Sequence, residues 1–259
     1  MMRPIIQTAT FRSARDQPLK NVLVYAPTVI WIQSGHKQLQ WRDQTLEFDS
    51  NHWLIIPANQ YLSFINFPTK QGFFSKALTL IEPPPQDWLS FEKTSIQVKQ
   101  PKLKPSTALK YGFNQLFEMD HQGLDREAQK HMVLSFYAQL KAEKKLQLLF
   151  PAHSDSLKEK LSVLLSATPG DAHNLEDAAT SLNMSRATLI RKLSAEQTSF
   201  REVLTEIRMG YALSLMQEGK ALLDVSLACG YQSQARFSAR FKQQFQVTPN
   251  QYIQTLISN

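Results

Sequence analysis

The sequence predicts an α+β protein with an all-β N-terminal domain, a helical pair and an all-α C-terminal domain. Clusters of β-branched and aromatic residues, separated by turn residues, fill positions 22–81 at the spacing of a β-sandwich or barrel. Apolar residues at helical spacing dominate from residue 105 onward. A length of 259 residues suits more than one packed domain. We therefore expect divisions at 1–100, 101–150 and 151–259.

Seven strands are predicted in the N-terminal domain. They cover residues 22–25, 28–34, 37–41, 44–48, 52–57, 62–66 and 73–80. Gly35 and Asp43 mark hairpin turns between them. Three prolines at 83–85 are expected to end the β region, because proline cannot donate a hydrogen bond to a ladder.

Bulky aromatic side chains in these strands either fill the interior or line a pocket for a small molecule. They are Trp31, Trp41, Trp53, Tyr61, Phe64, Phe73 and Phe74. No metal site is predicted, because His36 and His52 are isolated and Cys229 is the single cysteine. The sequence also lacks a G-x-S-x-G motif, a P-loop and paired CxxC motifs. We expect a protein without a cofactor that is not an enzyme.

Two helices are predicted at residues 105–119 and 125–147. The second has an apolar stripe formed by Ala128, Met132, Val133, Phe136, Tyr137 and Leu140. A stripe of this kind is usually a core face. Residues 150–155 are rich in turn formers and are the expected linker to the C-terminal domain.

The segment 224–245 predicts a helix, a tight turn and a second helix that carries cations and no acid. Phe237, Phe241 and Phe245 recur every four positions, so one face of this second helix is buried. The opposite face is polar and basic, as binding in a DNA major groove requires. Taken alone, such a unit is equally typical of a helical hairpin in any all-α domain.

A second copy of the pattern occurs upstream, at 174–193. Adding 48 to the positions of Ser185, Leu189 and Leu193 gives Ser233, Phe237 and Phe241, so a helix cap and two core positions coincide. Asn183 and Gly230, residues that tolerate positive φ, are expected in the two turns. Residues 200–216 predict one long helix that connects the two units rigidly.

These paired units resemble the DNA-reading units of AraC/XylS-family transcriptional regulators, over about residues 155–255. In that family each second helix enters one of two successive major-groove segments on one DNA face, about 34 Å apart. The strings 32–35, 41–44 and 53–58 resemble the cupin-like sensing domain that precedes such units. The resemblance implies a small apolar or aromatic effector in that domain. It also implies a dimer contact through residues 126–149.

The resemblance assigns DNA contacts to the second helix of each unit. Base-facing positions are Arg186, Ala187, Ile190, Arg191, Gln234, Ala235, Arg236, Ser238 and Ala239. Positions expected to contact phosphate are Ser185, Lys192, Ser233, Arg240 and Lys242. Arg191 and Arg236 can make bidentate contacts with guanine, and Gln234 can pair with adenine.

Three positions depart from the family pattern. Gln197 and Gln246 stand where glycine is usual, and a glutamine in left-handed geometry costs about 1 kcal/mol. Ile253 stands where the family often has arginine, which removes a candidate phosphate contact.

The net charge of +7 and a pI near 9.4 suit an anionic partner. Most of this positive charge lies outside the predicted DNA-binding domain. Residues 151–259 hold 11 Lys and Arg against 10 Asp and Glu, a net charge of only +1. DNA binding is therefore inferred from local patches on two helices. The basic N-terminal half is expected to be an ordinary solvated surface.

We thus expect a cytoplasmic, nucleoid-associated and homodimeric regulator that binds double-stranded promoter DNA, recruits RNA polymerase and acts as an activator. No signal peptide and no apolar run of membrane-spanning length is present in the sequence. The alternative is an adaptor that uses the same helices for protein contacts without binding DNA.

Overall fold

Two antiparallel sheets form a sandwich in the N-terminal part of the chain, in a computed structural model that describes residues 4–89, 100–119, 122–151 and 156–256. The strands are β1 (Ile6–Ser13), β2 (Gln17–Val24), β3 (Thr28–Ser34), β4 (His36–Trp41), β5 (Gln44–Phe48), β6 (Trp53–Ile56), β7 (Gln60–Phe67), β8 (Phe73–Leu80) and β9 (Lys102–Leu103). The sheet orders are β1-β8-β3-β6-β9 and β2-β7-β4-β5. The predicted all-β N-terminal domain is confirmed as a sandwich.

All seven predicted strands are present, and two strands were missed. β1 pairs with β8 from Ile6 opposite Leu80 to Ser13 opposite Phe73, so its partner lies sixty or more residues away in the chain. β9 pairs Leu103 with Trp53, although it follows the prolines at 83–85. The expectation that these prolines end the β region was therefore wrong. They follow the end of β8, but the chain returns to the same sheet.

Beyond β8, the described residues up to 151 contain the helices α1 (Gln86–Leu89), α2 (Thr107–Met119), α3 (Arg126–Ala142) and α4 (Leu146–Leu149), with α1 before β9 and the other three after it. The predicted helix 125–147 is divided because Lys144 has a φ of 58°, which interrupts helical geometry. Residues 152–155 of the expected linker lie outside the described residues.

The apolar stripe of α3 is a core face. Val133, Phe136, Tyr137 and Leu140 pack in one cluster with Trp53 of β6 and Phe113 of α2. Met132 is only partly buried there, and Ala128 is exposed. The stripe packs within the chain, so it offers no free apolar surface for a second copy. The dimer contact through residues 126–149 therefore stays a prediction.

The C-terminal part is all helical, with α5 (Leu157–Ser166), α6 (Leu175–Ser181), α7 (Arg186–Ala195), α8 (Phe200–Gln217), α9 (Leu222–Ala228), α10 (Gln234–Phe245) and α11 (Pro249–Leu256). Helices α6 and α7 form the first helix-turn-helix unit, and α9 and α10 form the second. The predicted connecting helix is confirmed as α8. Within the described ranges, no helix combines the length and apolar character needed to cross a bilayer.

Left-handed residues stand at the turns and helix ends where the sequence placed them. Asn183 and Gly230 have φ of 55° and 73° in the turns of the two units. Gln197 and Gln246 have φ of 56° and 62° just after α7 and α10. Both glutamines therefore carry the strain that a side chain bears in this region, where glycine would bear none.

We expect Gln246→Gly to raise the free energy of unfolding by about 0.5–1 kcal/mol, because it relieves left-handed strain at the end of α10. Chemical denaturation measures the change. The matched control is Gln243→Gly within α10, which should lower stability by about 1 kcal/mol. A loss of stability in Gln246→Gly would mean that the hydrogen bond from Gln246 Nε2 to the Gln243 carbonyl, at 3.0 Å, outweighs the strain.

Candidate nucleic-acid interface

The first reading helix, α7, separates a buried face from an exposed one. Ser185 caps it by accepting a hydrogen bond from the Thr188 amide at 3.2 Å. Leu189 and Leu193 are buried against the rest of the unit. The predicted base-facing residues are all exposed: Arg186, Ala187, Ile190 and Arg191. Ile190 is 47% exposed, an apolar side chain free to contact a thymine methyl group.

The second reading helix, α10, is built on the same plan. Ser233 caps it by accepting from the Arg236 amide at 3.4 Å. Phe237, Phe241 and Phe245 are buried, as predicted. On the outer side, Gln234, Ala235, Arg236 and Ala239 are exposed and Ser238 is half-buried. Each helix therefore presents the residues that the sequence assigned to DNA bases.

The predicted phosphate-contacting residues fall into two groups. Lys192, Arg240 and Lys242 are exposed at the sides of the helices. The hydroxyls of Ser185 and Ser233 serve as helix caps, which confirms the cap role predicted from the repeat. Their contact with phosphate stays a prediction.

Positive charge is concentrated on both helices without local neutralisation. Each carries three cations and no acidic residue, and within the described residues no ion pair engages these six cations. An open cleft of about 620 Å³ runs beside α10, lined by Gly230, Tyr231, Gln232, Arg236, Ala239, Arg240 and Gln243. Arg240 Nη1 donates to Gln243 Oε1 at 2.8 Å, which orients its guanidinium beside this cleft.

The rear of α10 is docked on the sandwich. Strands β1 and β2 are edge strands of the two sheets, and α8, α10 and α11 cover the edge between them. Leu19 of β2 is buried in the same cluster as the three phenylalanines of α10. Gln244 Nε2 donates to the Asn21 carbonyl at 2.7 Å. The second unit thus packs against the sandwich through the buried face of α10, and the opposite, polar face of α10 points outward.

A polar contact joins the sandwich to the first half of the helical domain. Lys158 of α5 and Glu206 of α8 form an ion pair at 3.0 Å, and both side chains are largely buried. The Tyr61 hydroxyl of β7 donates to Glu206 and accepts from Lys158. Burial alone would lower the pKa of Lys158, but its hydrogen bonds to Tyr61 and Glu206 raise it above the ordinary value.

A lysine lies inside the sandwich, where its amine contacts an amide group and aromatic rings. Lys37 of β4 is 3% exposed, and its Nζ lies 3.3 Å from the centroid of the Phe64 ring. Its Nζ donates to Asn66 Oδ1 on β7. Burial holds the pKa of Lys37 well below its ordinary range.

A chain of hydrogen bonds leads from this lysine to the last helix. Asn66 Nδ2 donates to Gln17 Oε1 on β2 at 2.9 Å, and Gln17 Nε2 donates to Thr255 Oγ1 on α11 at 2.7 Å. Lys37, Asn66 and Gln17 are direct cross-strand neighbours. The polar chain therefore crosses three adjacent strands and ends in the helical domain. Sequence reasoning missed this arrangement and the Lys158–Glu206 pair.

The seven aromatic residues predicted for an effector pocket do not meet in one place. Trp41, Phe64 and Phe73 belong to the cluster between the sheets. Trp31 and Trp53 lie on the outer face of their sheet against Phe113. Tyr61 is part of the contact with Lys158, and Phe74 lies beneath the guanidinium of Arg12. Only the first group is positioned to contact a ligand between the sheets.

No resident metal is indicated by the part of the chain that the structure describes. It contains no group of three His, Cys, Asp or Glu side chains that could hold a metal ion. His36 and His52 each lie beside one acid instead, Glu47 and Asp49.

Comparison with known proteins supports the interpretation of the helical domain. Residues 178–255 match a family model described as a helix-turn-helix domain. Over 81 residues, 31% of this chain, the sequence is 40% identical to the HTH-type transcriptional regulator AdiY of Escherichia coli strain K12, covering 32% of it. Over 106 residues, 40% of this chain, it is 33% identical to the urease operon transcriptional activator of Escherichia coli, covering 36% of it. The chain thus matches only about a third of the length of these relatives.

The whole chain shares its fold with ToxT of Vibrio cholerae. A ToxT structure superposes with a TM-score of 0.61 over 98% of this chain and 100% of ToxT, at 19% identity. A ToxT structure with unsaturated fatty acid bound gives a TM-score of 0.59 at 17% identity, over 100% of this chain and 99% of ToxT. The likeness extends across both the sandwich and the helical domain.

Two helix-turn-helix units with outward basic helices place the helical domain in the class of domains found in transcriptional regulators. For this domain, the resemblance to AraC/XylS-family regulators is confirmed.

The lowered pKa of Lys37 predicts a specific dependence of stability on pH. Between that pKa and the ordinary value near 10.4 of the unfolded chain, only the unfolded state holds the proton, so stability rises with pH. We expect Lys37→Met to remove this component. The difference in melting temperature, variant minus wild type, should be largest near pH 7 and shrink toward about pH 10. Lys70→Met, at an exposed turn, is the control and should follow the wild-type slope. Parallel curves for wild type and Lys37→Met would contradict the burial of an uncharged lysine.

Proposed function

We propose that the protein binds promoter DNA in a sequence-specific manner, with α7 and α10 in two successive major-groove segments. The observation that carries the proposal is the repeated exposure of an acid-free basic helix face at corresponding positions of both units. Helix α8 has 18 residues and so is about 27 Å long. That length suits two readers separated by about one turn of DNA, roughly 34 Å.

Individual roles follow from side-chain chemistry and exposure. Arg191 and Arg236 are suited to bidentate contacts with guanine, and Gln234 to adenine. Lys192, Arg240 and Lys242 are suited to phosphate contacts that fix the register of the protein on DNA. Arg240 shares the cleft of Arg236, so a DNA strand in that cleft would contact both arginines.

The sandwich is proposed to hold a small effector, an apolar molecule with an anionic group. Lys37 supports this chemistry, because a buried amine with only neutral hydrogen-bond partners would gain an ion pair from a carboxylate. Phe64 and Phe73 lie above the same amine and would contact an apolar tail. ToxT, which shares the fold, has been solved with unsaturated fatty acid bound.

Activation through recruitment of RNA polymerase is the proposed mode of action. A relative that matches the helical domain is an operon activator, which supports this direction. A homodimer and association with the nucleoid belong to the same proposal. The competing function is a protein-interaction adaptor that uses α7 and α10 without DNA. Dependence of binding on salt separates the two, because release of counterions weakens true DNA binding steeply as salt rises.

Arg236→Ala and Lys242→Ala should differ in what they lose. Arg236→Ala should cost about 1–3 kcal/mol at the selected site and relax preference at one base pair, because it removes a base contact. Lys242→Ala should weaken binding to all sequences alike and reduce the salt slope by about one unit, because one fewer counterion is displaced. Fluorescence anisotropy with a site selected from random DNA measures both effects. Equal weakening of selected and random DNA by Arg236→Ala would exclude the proposed orientation of α10.

Effector binding is tested on the full chain by native mass spectrometry with added unsaturated fatty acid. We expect a complex with wild type that weakens at least about tenfold in Lys37→Met, because the ion pair is lost. Lys70→Met should bind like wild type. Equal binding by all three proteins would place the ligand away from Lys37, and no binding would remove fatty acids from the candidate effectors.

A further inference from the structure

The loop before the first helix-turn-helix unit contacts the second unit directly. The loop 168–173, which leads into the first unit, lies against the end of α9 in the second unit. A Cβ placed on Gly170 would come within 2.1 Å of the Ala228 carbonyl oxygen, which belongs to the last residue of α9. Only glycine allows the two backbones to approach this closely, since the opposing atom is backbone and cannot rotate away.

Arg208 of the connecting helix α8 binds this loop. Its Nε donates to the Pro169 carbonyl at 3.1 Å, and its Nη2 donates to the Asp171 carbonyl at 2.9 Å. The planar guanidinium fork thus holds two carbonyls on either side of Gly170. The loop has internal support, because the His173 ring lies 2.7 Å from the Thr168 carbonyl oxygen.

The turn of the second unit closes over the same guanidinium. A Cβ on Gly230 would lie 2.6 Å from Arg208 Nη2 and 3.0 Å from the Gly170 carbonyl oxygen, and Gly230 has a φ of 73°. Arg208 therefore lies between the loop before the first unit and the turn of the second. We name Gly170, Arg208 and Gly230 the inter-unit junction.

The inter-unit junction adds a polar restraint to the apolar packing of α9 and α10 on α8. Helix α8 ends at Gln217, and Gly219, with a φ of 76°, stands in the short connection to α9. Rotation about this connection would swing α9 and α10 together relative to α7. One base pair of DNA corresponds to only about 3.4 Å of rise. A small rotation would thus change which separation of half-sites the two helices fit.

We infer that the inter-unit junction sets the spacing of the two DNA half-sites that the protein accepts, with Arg208 as the positioning residue. The inference rests on the proposed function. Arg208 acts through the loop and the turn that it joins. Its loss should therefore affect the preferred spacing more than the affinity for a single half-site.

The first test measures spacing discrimination by the full chain. A preferred site is selected from random duplex DNA with wild type, and dissociation constants are then measured for that site and for versions with one base pair inserted or removed between the half-sites. The penalty for altered spacing should fall at least about fivefold in Arg208→Gln, because the coupling between the units is removed. Arg208→Lys, which keeps the charge and one donor group, should retain part of the penalty. Arg201→Gln, an exposed arginine on the same helix, is the control and should keep the full penalty.

A second measurement needs no DNA and so separates this inference from the proposed function. Spin labels on cysteines introduced at Ala187 and Ala235, both exposed, report the distance between α7 and α10. The native Cys229 is buried and its thiol pKa is raised to about 12, so it should remain unlabelled. We expect one narrow distance distribution in wild type and a broader or shifted one in Arg208→Gln.

The two measurements together distinguish failure of this inference from failure of the proposed function. An unchanged distance distribution together with an unchanged spacing penalty in folded Arg208→Gln would overturn the inference. A changed distribution in a protein that binds no DNA would uphold the junction and reject the proposed function. If Arg208→Gln loses its cooperative thermal transition, Arg208→Lys carries both measurements, and identity with wild type in both would then overturn the inference.

Discussion

The burial of the aromatic face of α10 is the contact on which the remaining arrangement depends. Phe237, Phe241 and Phe245 pack with Tyr252 of α11 and with Leu19 of the sandwich in one cluster. Each large aromatic removed from water contributes on the order of 2–3 kcal/mol. Because this face is committed to the interior from two sides, the opposite face can only point outward. The orientation of the proposed DNA-reading surface is therefore a consequence of apolar packing. The cations of α10 supply positive charge on this surface but do not determine which way it faces.

The same logic explains which parts of the fold were predictable. In the C-terminal domain the decisive signals are local: spacing of four residues, a serine cap and a turn residue that tolerates positive φ, all within twenty positions. The sandwich depends on pairing between distant segments, and β1 and β9 were missed because neither has a close partner in the chain. Trp31 and Trp53 were assigned to the interior for a related reason. All four residues of β6 are buried, since α2 and α3 cover the outer face, and alternation cannot then distinguish the two sides of a sheet.

The burial of Lys37 could have been predicted from the alternation of residues along β4. It shares a strand face with Leu39 and Trp41, which alternate with it and are buried, so the period of two already placed it inward. Composition argued the reverse, because lysine is almost never fully buried unless it is paired. The energetic cost of desolvating a charged amine favours its neutral form here, and the amine then donates one hydrogen bond to the neutral Asn66 side chain. Lys37 thus departs from the rule that lysine is rarely buried, although it follows the alternation of buried residues along β4. Positions that break such a rule are often functional sites, where a residue is kept for its chemistry at a cost in stability.

A buried lysine in the sandwich can affect regulation only if it is connected to a part of the protein that adopts two arrangements. A ligand shifts an equilibrium between two arrangements solely by binding one of them more tightly. The cross-strand chain from Lys37 through Asn66 and Gln17 reaches Thr255, and strand β2, which carries Gln17, also carries Leu19 into the aromatic cluster of α10. In the proposed function, an anion bound to Lys37 would compete with Asn66 for the same amine, and strands β4, β7 and β2 of this chain lie in the sheet on which α10 is docked. Strand β2 thus joins the polar interior of the sandwich to the apolar rear of α10, and it is the element through which an effector would have to act on that helix.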